Sequence, residues 1–193
     1  MAQRVFFSFH YQDVIDFRAN VVRQHWVTKD REAAGYFDAS IWEEAKKEGE
    51  ASLKRLINGG LDGSSNTCIL VGSETYCRPW VRYEILKSFV RGNHLFAVHI
   101  NAIKDKNQQT KALGPNPLEY VGVTYSQDGR TMTLWEKNGK NWERYTKIEG
   151  KSDFKIPQVG LEYRGKGYNL GRFYPIYDWV ADDGYNEFSN WVK

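Results

Sequence analysis

The chain has 193 residues, a formal net charge of +3, 41% apolar and 26% charged residues. These are ordinary globular values that exclude a disordered chain. The charge is too small, and too free of Lys/Arg runs, for an extended nucleic-acid stripe, and no segment nears the ~20 apolar residues that span a bilayer. Met1–Phe7 is too short an apolar run for a signal peptide. Cys68 and Cys77 make neither a disulfide framework nor a metal pattern, so the expected location is the reducing cytoplasm. Aromatic residues reach 15% with seven Trp, more than one core of this size needs, so several are expected on surfaces or in a pocket.

Arg4–His10 reads as a buried strand, because Val5, Phe6, Phe7 and Phe9 cluster tightly. Asp13 suits a helix N-cap, and Val14, Phe17 and Val21 recur at helical spacing. Gly35–Asp38 reads as a short second strand. Ser40 and Glu43 fit a capping box for a helix carrying Leu53 and Ile57 and stopping at Gly59-Gly60. Asn66–Gly72 is a third strand. Pro79 is pre-set for the first turn of a third helix ending near Gly92-Asn93. His94–Ile100 is a fourth strand. Short apolar strands alternating with amphipathic helices imply a parallel sheet with helices on both faces.

After Lys104 the pattern changes. Beyond the rigid Gly114–Pro117 loop, Tyr120–Ser126, Thr131–Lys137 and Asn141–Ile148 are strand-like, joined by Asp128-Gly129 and Asn138-Gly139 hairpin signals. Residues 149–171 read as loop, Phe173–Val180 as a last core strand and Tyr185–Val192 as a closing helix. The expected organisation is a single domain over 1–193: an α/β core (1–104), an inserted antiparallel meander (115–148), and a last strand with its helix (172–193).

In an open parallel sheet, ligands bind beyond the carboxyl ends of the strands. Three stretches converge there: Ser8-Phe9-His10-Tyr11, Phe37-Asp38, and the helix with Trp80 and Glu84 one turn apart on one face. A flat ring beside a carboxylate suits a nucleotide and its sugar. On the helix alone, a rim Trp80 and a solvated Glu84 are the favoured reading; the placement beyond the strands brings the site reading level with it. His10 is either a site residue or a satisfied structural histidine. His25, His94 and His99 have no ligand-like spacing, so no metal is expected. Gly160–Gly167 falls short of a phosphate-binding loop, lacking both the final Ser/Thr and a preceding buried strand. Neither Gly-x-Gly-x-x-Gly after the first strand nor a Gly-x-Ser-x-Gly elbow is present.

These residues resemble a known family. Val5–Phe9 looks like the opening strand of TIR domains, and Phe37-Asp38 like the second strand leading into their mobile loop. Trp80-Val81-Arg82-Tyr83-Glu84 matches the Trp-x-x-x-Glu motif of NAD-cleaving TIR domains. The chain as a whole, including Tyr177–Asn186, is similar to the TIR-like subunits of bacterial Thoeris antiphage systems. The resemblance implies a flavodoxin-like fold and an enzyme that senses infection and converts NAD, as substrate and with no cofactor, into a cyclic ADP-ribose isomer. That diffusible nucleotide would activate a separate NAD-depleting effector. The implied partners are NAD, further copies of the chain or a phage-derived trigger, with no nucleic acid and no membrane. Glu84 would be catalytic, and Ser8, Phe9, His10, Tyr11, Asp38 and Trp80 would bind substrate. The chain departs from many TIR domains in its meander and in lacking a basic residue after the first strand, where His10 and Tyr11 stand. The other readings are a non-catalytic TIR adaptor, a plain NAD hydrolase, or a ribosyl-transfer enzyme of similar fold.

Overall fold

Strict alternation of side chains along three strands builds two apolar layers at once. In a computed structural model that describes residues 4–28, 32–34 and 39–193 (32–34 and 39–40 by backbone alone), β1 is Arg4–Ser8, β2 Glu32–Ala34, β3 Asn66–Val71, β4 His94–His99 and β10 Ile176–Asp178. They form one sheet in the order β2-β1-β3-β4-β10, every pair parallel. Phe6, Ile69, Val71, Leu95 and Ala97 face one layer; Val5, Phe7, Cys68, Leu70, Phe96 and Val98 face the other. Both faces are covered, as a parallel sheet requires.

The first layer is closed by α4 (Glu50–Leu61), through Ile57 and Leu61, and by α5 (Pro79–Arg91), through Val81, Ile85 and Leu86. The second is closed by α2 (Arg18–Val27), through Ala19, Val22 and Trp26, and by α6 (Gly184–Trp191), through Phe188 and Trp191. The α5 boundaries follow the sequence signals: Pro79 opens it, and Gly92, at φ 81°, closes it in the left-handed conformation that glycine adopts freely.

Several expected boundaries are corrected. The first strand stops at Ser8, and α1 (Tyr11–Ile15) starts from His10, so Asp13 is a buried residue inside a helix and not its cap. One expected helix is two, because Phe17 takes a left-handed φ of 66° between α1 and α2. Another is divided at Gly49 into α3 (Ala39–Glu48) and α4. Ser40 therefore lies within the first turn of α3, one residue past its start. The second strand described is Glu32–Ala34; Gly35–Asp38, where it was expected, lies outside the described residues.

The antiparallel part is larger than the expected meander. It contains β5 (Val121–Tyr125), β6 (Thr131–Asn138) and β7 (Asn141–Arg144), but also β8 (Asp153–Lys155) and β9 (Gly167–Asn169), both from the stretch that reads as loop. β7 stops at Arg144 because Tyr145 and Ile148 turn inward and are buried. Neither is the unit an independent ribbon. Val121, Val123, Met132, Leu134, Tyr145, Ile148 and Phe154 join the same apolar cluster as α5. Arg82 of α5 is buried against it, donating from Nη1 to Glu136 Oε2 (3.0 Å) and Asn138 Oδ1 (3.1 Å).

Candidate functional site

The strand order places a crevice where the topology demands it. From β1 the chain passes to β2 on one side, and from β3 to β4 on the other. The connections leaving β1 and β3 therefore diverge, and a gap opens beyond their carboxyl ends. A cavity of about 350 Å³ lies there, within the range that takes small ligands. Its walls come from the end of β1 and the start of α1 (Phe7, Phe9, His10, Tyr11), from α3 (Trp42, Glu43, Lys46) and from α5 (Arg78, Pro79, Trp80, Val81, Glu84).

Glu84 is 6% exposed, so the reading of a solvated charge is ruled out. It is buried because the rest of α5 is: Val81, Tyr83, Ile85 and Leu86 seat the helix on the sheet. Its Oε2 accepts a hydrogen bond from Ser8 Oγ at 2.5 Å. Among the described residues Oε1 has no partner, although Glu84 lines the cavity. Burial pushes its pKa up to about 8; the Ser8 hydroxyl, which favours the ionised form, pulls it partly back. A buried carboxyl whose pKa is pushed toward neutrality, on the wall of a cavity, is an arrangement that functional sites concentrate.

Trp80 stands one turn before Glu84 and packs edge-on against two rings, Trp42 at 6.5 Å and Tyr83 at 5.8 Å. Tyr83 is itself held by a hydrogen bond to Asn58 of α4. Trp42 was not singled out in the sequence. Its signal was its separation of four from Lys46, which puts both on the α3 face that lines the cavity. Arg78 was also missed as a site residue, although it immediately precedes Pro79; it is the N-cap residue of α5.

Of the sequence-derived candidates, Glu84, Trp80, Phe9, His10 and Tyr11 line this one cavity. Ser8 is fully buried behind it and meets it through Glu84. Asp38 lies outside the described residues. The pKa of His10 is lowered, first by partial burial and then by the Arg78 charge, with Glu74 opposing. Among the described residues no three His, Cys, Asp or Glu side chains are grouped to hold a metal ion, and no described helix is long and apolar enough to cross a membrane.

Comparison with known proteins gives two findings. Residues 6–105 match the family described as Thoeris protein ThsB, TIR-like domain. Over its whole length the chain is similar to a protein of Bacillus cereus (strain MSX-D12) named "Putative cyclic ADP-D-ribose synthase ThsB1", with 57% identity and complete coverage of both chains. The matched segment ends just past β4; it contains every candidate residue of the cavity and stops before the antiparallel sheet.

Proposed function

The chain belongs to the Thoeris ThsB family of TIR-like proteins, and on that premise we propose that it cleaves NAD at the nicotinamide–ribose bond and closes the product into a cyclic ADP-ribose isomer. This product is the diffusible signal for a separate effector. The observation that carries the reading is Glu84, buried on the cavity wall one helical turn from Trp80 and held through Oε2 by Ser8.

The chemistry asks little more of the protein. The bond from ribose C1′ to the nicotinamide nitrogen breaks through an oxocarbenium-like transition state, as in glycoside cleavage. The nicotinamide nitrogen is already cationic in NAD and takes the bonding pair as it leaves, so no general acid is required. The ionised Glu84 hydrogen-bonds the ribose hydroxyls and stabilises the positive charge that develops. Ser8 fixes the carboxylate so that Oε1 faces the sugar. Trp80 stacks on a planar ring of the substrate. A nucleophile of the same molecule then captures the cation, and aromatic walls from Trp42, Trp80 and Phe9 favour this over hydrolysis by keeping water out and the two ends close.

The test is chromatography with mass spectrometry of the products formed from NAD by the purified chain, alone and with lysate from phage-infected cells. The expected products are nicotinamide and a cyclic isomer of ADP-ribose. Linear ADP-ribose alone means a plain hydrolase, and no product under either condition means an adaptor.

A further inference from the structure

The cavity is lined by two basic side chains, Arg78 and Lys46, that the cleavage step does not use. We infer that Arg78, assisted by Lys46, forms the subsite for the diphosphate of the dinucleotide substrate. The inference rests on the NAD reading above and names the part of the ligand that these side chains take.

The geometry along α5 comes first. Glu84, the group assigned to the ribose, is six residues beyond Arg78, or about 9 Å along a helix axis rising 1.5 Å per residue. Both residues line the one cavity, so a single extended ligand can meet the two. Arg78, Pro79, Trp80 and Val81 all line the cavity, so the amino-terminal end of this 13-residue helix opens on it. No side chain caps that end, and it favours negative charge.

The state of the Arg78 guanidinium points the same way. Its Nη2 is paired with Glu74. Its Nε is shut off from solvent and has no hydrogen-bond partner. Nε–H and the neighbouring Nη2 make up one side of the guanidinium fork, the side that grips oxyanions in bidentate fashion. Glu74 engages half of that side and leaves the other half unmet, and a buried donor without a partner is an exception that asks for one. Two oxygens of a diphosphate satisfy both donors. Glu74 is exposed, with 62% of its side chain accessible, so it can swing away. Glu74 holds the position on the guanidinium that the phosphate would take.

The other polar groups divide accordingly. Lys46 projects from α3 on the facing wall, loosely paired with Glu43 at 3.7 Å and 63% exposed. It can follow the ligand. His10 lines the same cavity, its pKa lowered by burial and by the Arg78 charge. The positive charge absent after the first strand is thus supplied from the start of α5 and from α3.

The test measures binding of three probes, ADP-ribose, NAD and nicotinamide riboside, to the full chain by calorimetry. Arg78→Ala is expected to weaken ADP-ribose and NAD roughly tenfold or more, the loss of a charge-assisted pair, and to leave nicotinamide riboside, which has no phosphate, unchanged. Arg78→Lys should fall between, keeping charge and losing the fork. Glu74→Gln should act in the opposite direction and tighten ADP-ribose by a few-fold. Melting curves confirm that each variant is folded. If Arg78→Ala leaves ADP-ribose affinity intact while Trp80→Ala weakens it, the diphosphate assignment is overturned and the NAD reading survives. Equal weakening of all three probes by Arg78→Ala also overturns it. If the unaltered chain binds none of the probes, both readings fall.

Discussion

At the scale of the residue, Glu84 sets the terms. Its pKa near 8 means that the folded chain holds a proton that the unfolded chain releases near 4.5. The folded state therefore binds more protons between those values, and stability falls as pH rises through that window. Glu84→Gln removes this cost while keeping the size of the side chain. It is expected to abolish product from NAD and to raise the melting temperature at pH 8–9 by a few degrees, at about 2–4 °C per kcal/mol for a chain this long; calorimetry beside the product assay checks both. A variant that melts lower than the parent at pH 9 would contradict the buried, costly carboxylate. The same group fixes the pH–rate profile. In the proposed mechanism only ionised Glu84 stabilises the cation, so kcat/KM should rise with pH to a plateau above about 8. The limb for kcat should lie lower, because bound cationic nicotinamide favours the ionised form. Ser8→Ala removes a donor to the carboxylate and should move the kcat/KM limb upward by about one pH unit; an unmoved limb would show that the 2.5 Å contact does not tune Glu84.

At the scale of the element, α5 has two jobs. Its first half supplies Arg78, Trp80 and Glu84 to the cavity, while Arg82 and the apolar residues between them lock it to the antiparallel sheet and to the central one. Among the described residues no side chain of β5–β9 lines the cavity. The antiparallel sheet bears on the site only by holding the helix that carries it. Arg82 Nε also donates to Tyr76 O at 3.3 Å, so a single side chain ties the approach to α5, the helix and β6 together. Arg82→Ala leaves Glu136 largely buried without its partner and is expected to cost about 2–4 kcal/mol. This should lower the melting temperature roughly 5–10 °C and speed hydrogen exchange in β5 and β6 ahead of β1 and β3. Uniform exchange across both sheets would show that they unfold as one unit and that Arg82 is not the local tie.

At the scale of the molecule, the cavity is bounded by α3 and by α1, which presents Tyr11 and Ile15 to solvent. Phe17 and Val21 follow, also exposed, with Phe17 held at a left-handed φ between the two helices. These exposed apolar side chains leave surface that a second copy can cover. A defence signal made constantly would also harm its own cell. We expect the purified chain to be nearly silent on NAD when dilute, and turnover per molecule to rise with protein concentration or with infected-cell lysate. Association needs only a few kcal/mol of differential binding to reset a two-state element, since ~5.5 kcal/mol carries a 1:99 equilibrium to 99:1. High, constant turnover down to monomeric dilution would rule this out.

The order of elements was legible in the sequence wherever local signals agreed: apolar runs for β3 and β4, and Pro79 with Gly92 for both ends of α5. So were the placing of Trp80 and Glu84 one turn apart and their position beyond β3, because helical spacing and parallel-sheet topology follow from pattern alone. What the tertiary structure decided was environment. The spacing that pairs Glu84 with Trp80 is compatible with a solvated or a buried carboxylate. Only the packing of α5 on the sheet, with Ser8 arriving from 76 residues away, buries Glu84 and moves its pKa. The missed strands β8 and β9 are three residues each and rich in polar and glycine residues, so only pairing with β6 and β5 makes them strands. Arg78, Lys46 and Trp42 belong to the cavity because α3 folds across from α5, a long-range contact that no spacing within one chain segment records.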